Sequence, residues 1–130
     1  MQAPERLTLI FDGRCGFCTR SARLLEALDR HRRVRAVPYQ RPGAAASVGL
    51  TIEECEAAVW AIAPDGRRYR AAAAVNVSLE VVLGTRFPLL FYALPGVSWL
   101  QDLVYDFVAA NRDRLPGDEP YCEQHPIQCR

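Results

Sequence analysis

Two thiols three positions apart, Cys15 and Cys18 in Asp12-Gly13-Arg14-Cys15-Gly16-Phe17-Cys18, are the residues of this chain best suited to chemistry. Such a pair serves disulfide exchange, supplies half of a zinc site, or has no role. Exchange needs a sulfur that ionises easily. The first turn of a helix provides one, because unpaired backbone N–H groups and the positive end of the helix dipole favour the thiolate. Cys15 is expected at the helix start as the more exposed sulfur, with a pKa lowered into the range of about 3.5 to 7.5. Cys18, one turn further in on the same face, is expected to be the buried, resolving thiol.

The flanking residues carry alternatives. Asp12 could close an Asx turn, or could be a partly buried carboxylate that takes the resolving thiol's proton. Gly13 is expected to supply a backbone conformation that a side chain would hinder. Arg14, and Arg20 further on, could add positive potential near the thiolate or could be ordinary solvated arginines. Gly16 and Phe17 fill the pair. A zinc site would draw on Cys55, Cys122, His125 and Cys129, of which Cys122-x-x-His125-x-x-x-Cys129 has ligand-like spacing. The junction at which Cys15 and Cys18 stand favours exchange over zinc.

That junction is set by its neighbours. Leu7-Thr8-Leu9-Ile10-Phe11 is a short apolar run bounded by Asp12-Gly13, which reads as a buried strand. Downstream, Cys18, Ala22, Leu25 and Leu28 recur at helical spacing, with Ser21 and Leu24 on the same face and Arg20, Arg23, Glu26 and Arg30 outward. Val34 to Tyr39 reads as a second strand, Gly43 to Gly49 as a loop, and Thr51-Ile52-Glu53-Glu54 as a capping box opening a short helix. That helix carries Cys55 as a buried small hydrophobe. Ala58 to Ala63 is a third strand, and Pro64-Asp65-Gly66 turns it into Arg67 to Arg70 as a hairpin. A helix from Ala71 to Leu83 follows, with Val75, Leu79, Val82 and Leu83 inward and Gly84 closing it. The order β-α-β-(α)-β-β-α predicts an α/β fold with a mixed four-stranded sheet and further helices at the C-terminal end.

The remainder is apolar and then irregular. Phe87 to Leu94 is interrupted by Pro95-Gly96, and Ser98 can cap a helix running through Trp99 to Asn111. Leu100, Leu103, Val104, Phe107 and Val108 form its stripe, expected to pack on the sheet or to offer a platform for a membrane surface or membrane protein. The break, with Asp102 and Asp106, argues against a spanning helix, which wants about twenty uninterrupted apolar residues. Cys122 and Cys129, in the final stretch, are expected to be free or weakly used thiols.

A chain of 130 residues, 50% hydrophobic, is expected to form one domain: a core over 7–84, a helical extension over 85–115 and an irregular tail over 116–130. The formal net charge of +1 and the lack of a basic stripe exclude nucleic acid as an expected partner. All basic side chains other than histidine are arginine, a compositional bias. The opening residues lack the pattern of a secretory signal, so a cytoplasmic, reducing location is expected. No cofactor is expected.

Phe11-Asp12-Gly13-Arg14-Cys15-Gly16-Phe17-Cys18, the Ala63-Pro64-Asp65-Gly66 hairpin with its alanine-rich helix, Leu94-Pro95-Gly96-Val97, and Tyr105 through Asn111-Arg112 together resemble the DCC family of predicted thiol-disulfide oxidoreductases. The resemblance runs from Leu7 to about Cys122. It implies a thioredoxin-like fold, with Cys15 and Cys18 as the active site and a disulfide- or thiol-bearing protein or small molecule as substrate. The chain departs from the better-known thioredoxins in having no proline in Glu54-Cys55-Glu56-Ala57-Ala58, ahead of the third strand, and none between the two cysteines. The competing expectation is a non-catalytic thioredoxin-like module that binds a partner through its apolar C-terminal helices, with a zinc-bound form as the third.

Overall fold

The computed structural model describes residues 6–84, 94, 96–115, 117 and 119–129. At its centre is β1 (Leu7–Phe11), whose alternation sends Leu7 and Leu9 to one face and Ile10 to the other. It pairs in parallel with β2 (Val34–Pro38) and antiparallel with β3 (Trp60–Ile62), which pairs antiparallel with β4 (Arg68–Arg70). The sheet order is β2-β1-β3-β4, the mixed four-stranded sheet expected. It is consistent with a thioredoxin-like fold.

Helix α1 (Gly16–Leu28) crosses from β1 to β2. Asp29 fixes its exit, with its carboxylate accepting from the N–H groups of Arg33 at 3.0 Å and Val34 at 2.8 Å. Helix α4 (Ala72–Leu83) lies with α1 over one sheet face, where Leu7, Leu9, Leu25, Val77 and Val81 meet. The opposite face is covered by α2 (Ala44–Ser47) and α3 (Ile52–Ala57), which enclose Ile10, Val37, Leu50, Cys55 and Ile62. The capping box forms as expected: Glu54 N–H donates to Thr51 Oγ1 at 3.1 Å and Thr51 N–H to Glu54 Oε1 at 3.0 Å.

Several local expectations change. The stretch read as a loop contains α2, because Gly43, at φ 78°, turns the chain into an alanine run that buries Ala44 and Ala45. In α4 Val82 is buried and Leu79 packs against the core, as expected, but Ala74, Val77, Ser78 and Val81 also point inward, while Val75 and Leu83 are exposed. The same helix is covered on a second side by α5 (Val97–Ala110), where Asn76 donates to Gln101 Oε1 at 2.6 Å.

Helix α5 starts at Val97 behind Gly96, not behind Ser98. Its apolar stripe faces outward: Leu100, Leu103 and Val104 are half exposed, and Phe107 is 69% exposed. Of that stripe Val108 turns toward the body, as expected, with Gln101, Tyr105 and Ala109 beside it. No described helix is long and apolar enough to cross a membrane. The run Phe87 to Ala93, with Pro95, lies outside the described residues. A 3-10 turn (Arg112–Arg114) follows α5, and the stretch expected to be irregular holds α6 (Tyr121–Gln124) and a 3-10 turn (Pro126–Cys129).

Candidate functional site

Cys15 is the N-cap of α1, with φ −96° and ψ 120°, and its sulfur accepts the Cys18 N–H at 3.1 Å. One of the helix's unpaired donors is thereby spent on sulfur. Thr19 clamps the turn from within, donating its hydroxyl to Cys15 O at 2.9 Å.

The order of exposure is the reverse of that expected. Cys15 is buried, at 7% exposure, whereas Cys18 is partly open. The cause is the C-terminal segment, which lies across the cysteine turn. Gly117 sits so close that a Cβ there would overlap the Gly16 and Phe17 backbone. Tyr121 N–H donates to Thr19 Oγ1 at 3.1 Å, its ring meets Phe11 edge-on at 5.7 Å, and Cys122 N–H donates to Gly13 O at 2.8 Å. Gln124 accepts from Arg23 on α1. Gly13 is therefore needed for room rather than for an unusual φ: a Cβ would stand 2.7 Å from both Cys122 Sγ and Pro38 Cβ.

The tail cysteines are not free thiols. Cys122 and Cys129 form a disulfide with each other, so neither is available as a thiolate ligand for zinc. Among the described residues, no cluster of three or more metal-ligating side chains occurs. Cys55 is buried in the second core, as expected, and burial raises its pKa, with Glu54 adding to the effect.

Asp12 is engaged on both oxygens. Its Oδ1 accepts from Arg14 N–H at 2.9 Å, which is the Asx turn, and from Gln40 Nε2 at 2.7 Å. Its Oδ2 pairs with Arg112 at 3.1 Å. The same guanidinium approaches Cys18 Sγ at 3.8 Å. Burial pushes the Cys18 thiol up to about 12, the hydrogen bond to Cys15 and its charge push the same way, and Arg112 opposes them. Arg14 and Arg20 are exposed, Arg14 beside the tail disulfide.

Arg112 is the site residue that the spacing argument did not single out, although it lay within the stretch that carried the resemblance. No helical period could have found it: Tyr105 lies on the inward side of α5, whereas Arg112 opens the 3-10 turn beyond the helix end and reaches the site from there. Tyr105 braces that side, its hydroxyl accepting from Val59 N–H at 2.9 Å, and burial raises its pKa. The Val59 N–H, just before β3, is thus already occupied.

Asp12, Cys18, Tyr105 and Arg112 form the polar end of a cavity of about 390 Å³ whose walls include Phe17, Leu24, Leu28, Val75, Leu79 and Val108. Leu24 and Leu28, expected to pack inward, border this cavity and stay largely exposed. The arrangement can hold one sulfur ready to attack, keep the second protonated until needed, and set a cation beside the second.

A family model described as DCC1-like thiol-disulfide oxidoreductase matches residues 9–118. No curated protein and no solved structure matches the chain.

Proposed function

The chain belongs to the DCC1-like thiol-disulfide oxidoreductase family, which gives it a thiol-disulfide redox role, and from that premise we propose that Cys15 and Cys18 are its working couple. Cys15 attacks and Cys18 resolves. The observation that carries this reading is the Cys18 N–H held on Cys15 Sγ at 3.1 Å, beside a second sulfur kept protonated by burial.

In the reducing direction the Cys15 thiolate attacks a substrate disulfide, whose S–S bond breaks as the mixed disulfide forms; the departing substrate sulfur takes a proton. Cys18 then gives up its proton and attacks Cys15 Sγ. The mixed disulfide breaks, the second substrate sulfur leaves as a thiol, and two electrons have passed to the substrate. The reverse sequence oxidises a dithiol. Arg112 acts at Cys18, where its charge favours the thiolate as it forms. Asp12 is a positioning residue, holding the turn through Oδ1 and Arg112 through Oδ2.

Substituting Cys18→Ser should strand substrate on Cys15 as a stable mixed disulfide, and Cys15→Ser should not. Equal capture by both variants would overturn the assignment of attacker and resolver.

A second reading, a binding module for a membrane surface or membrane protein, is favoured by the outward face of α5, where Trp99 is 68% exposed beside Leu103 and Phe107. Intact mass separates the two. Reversible loss of two hydrogens within the Cys15–Cys18 peptide supports exchange, and its absence under oxidant supports the module.

A further inference from the structure

Two cysteine pairs in opposite redox states meet on one small surface: Cys15 and Cys18 are thiols, and Cys122–Cys129 is a disulfide. We infer that Cys122–Cys129 is a second redox couple, exchanging electrons with Cys15 and Cys18 inside the chain. The inference rests on the exchange reading above and extends it by naming the disulfide that Cys15 meets first.

Placement is the first argument. Cys122 N–H donates to Gly13 O at 2.8 Å, and the missing Cβ of Gly13 would stand 2.7 Å from Cys122 Sγ. The tail sulfur therefore lies against the very turn that ends in Cys15. Gly117 on the Gly16 and Phe17 backbone, and Tyr121 on Thr19, hold the segment there from the other side of Cys15. Cys15 is buried, so an outside protein disulfide is screened from it, while the tail disulfide lies against Gly13, two residues before it.

The bond is also badly placed for a staple. It joins positions 7 apart within the tail itself, so it does not tie the tail to the body. Hydrogen bonds from Tyr121 and Cys122 to Thr19 and Gly13 do that. Its outer side borders a cavity of about 360 Å³ shared by Arg14, Pro120 and Glu123, which gives an external thiol or disulfide a way to reach it.

The exchange balances without another reactant. Cys15 thiolate attacks Cys122 Sγ; the Cys122–Cys129 bond breaks, Cys15–Cys122 forms, and Cys129 leaves as a thiolate. Cys18 loses its proton and attacks Cys15 Sγ. Cys15–Cys122 breaks, Cys15–Cys18 forms, and Cys122 leaves as a second thiolate. The two tail thiolates take up protons, and two electrons have moved from one pair to the other. Renewal of the tail disulfide falls to an external disulfide, or the flow runs backward when an external thiol reduces the tail first.

The test is the double substitution Cys18→Ser with Cys129→Ser, which leaves Cys15 and Cys122 without their own partners. In oxidised glutathione, peptide mapping should find an intramolecular Cys15–Cys122 bond as the main product, its yield independent of protein concentration. Glutathione adducts on both sulfurs with no bond between them would overturn the relay. The unaltered chain gives a second measurement that needs no substitution: fully oxidised protein is treated with one equivalent of phosphine and alkylated at intervals. The relay predicts that the reduced pair redistributes between the two positions at a rate independent of protein concentration. A frozen pattern, or a rate that scales with concentration, would overturn it. A chain that opens and closes Cys15–Cys18 with glutathione yet never links Cys15 to Cys122 keeps the exchange reading and loses the relay; one in which Cys15 and Cys18 never pair loses both.

Discussion

Replacing Arg112 by glutamine removes one charge that touches two groups, and the structure sets the size of each effect. Toward Asp12, at 3.1 Å, the guanidinium side chain is 32% exposed and the carboxylate 11%. An exposed pair contributes about 0–1 kcal/mol, and losing one partner of a fully buried pair costs about 3–5 kcal/mol. Asp12 keeps its donors from Arg14 and Gln40. The expected loss is therefore about 1–2 kcal/mol, or a melting temperature lower by about 4–7 °C for a chain of this size. Toward Cys18, at 3.8 Å, a unit charge has an influence of about 1 kcal/mol in water and about 4 kcal/mol at an effective dielectric of about 20. A guanidinium open to solvent belongs near the lower end, which reduces the Cys18 thiolate roughly tenfold. Nucleophilicity rises as a thiol becomes more basic, so the net slowing of resolution is about three- to fourfold. The assay loads Cys15 with a chromogenic thiol and follows its release. Arg112→Lys should restore most of the rate, since it keeps the charge, but little of the melting temperature, since it loses the planar fork. Release at the original rate in Arg112→Gln, with the melting temperature lowered as expected, would leave Arg112 a purely structural link and refute the argument.

Other perturbations address the remaining parts of the site. Gly117→Ala puts a methyl group into the Gly16 and Phe17 backbone, so the tail must lift; alkylation of Cys15 should rise at least about fivefold, the factor for about 1 kcal/mol of lost packing, and an unchanged rate would show that the tail does not guard it. Asp12→Asn keeps an acceptor for the turn but loses the ion pair; the pH profile of resolution should fall in height and keep its shape, whereas a changed shape would make Asp12 the proton acceptor. Cys18, pushed up from 9.0 to about 12 in the folded chain, keeps its proton where the unfolded chain loses it, so its contribution to stability is intact below pH 9 and disappears between pH 9 and pH 12. Urea titrations across that window should show a shallower decline in Cys18→Ala, and parallel declines would refute the assignment. Tyr105→Phe leaves the Val59 N–H without its acceptor and should cost about 1–2 kcal/mol in the same titrations; an unshifted midpoint would mean that water replaces the hydroxyl.

What the sequence disclosed was local. Leu7 to Phe11 alternates within one strand, Asp12 closes a turn two residues on, and Thr51 with Glu54 completes a cap within one helical turn. The Asp65-Gly66 hairpin is equally self-contained, with Gly66 at φ 92° and Arg67 N–H on Asp65 Oδ1 at 3.0 Å. Each of these depends on neighbours that a short window contains. The exposure of Cys15 does not, because it is decided by Gly117, Tyr121 and Cys122 arriving from the far end of the chain. Pro116-Gly117-Asp118-Glu119-Pro120 reads as the end of order, yet Gly117 is there because only a residue without Cβ fits against Gly16. Helix α5 misled for a different reason: its most apolar stripe faces out, and its inward side is marked by Tyr105, with Arg112 in the turn just beyond its end, and their partners Val59, Asp12 and Cys18 lie on other parts of the chain.

A buried attacking sulfur is compatible with exchange when its cover is weakly held. Among the described residues, the tail is tied to the cysteine turn and α1 by two neutral hydrogen bonds, from Tyr121 and from Cys122, by one edge-on aromatic contact with Phe11, and by the exposed hydrogen bond from Arg23 to Gln124. Each neutral hydrogen bond contributes a net of about 0.5–1.5 kcal/mol, the ring contact about as much again and the exposed contact about 0–1 kcal/mol, so these ties amount to roughly 2–5 kcal/mol. Local opening at that cost uncovers Cys15 in roughly one molecule in thirty to one in five thousand, without unfolding the sheet beneath it. The turn itself is secured differently. Cys15 O accepts from both Thr19 Oγ1 and Thr19 N–H, and Asp12 anchors the preceding residues to Gln40 and Arg112. Lifting the tail therefore exposes the sulfur without disturbing the Cys18 N–H held on it, and the reactive geometry survives the motion that makes it accessible.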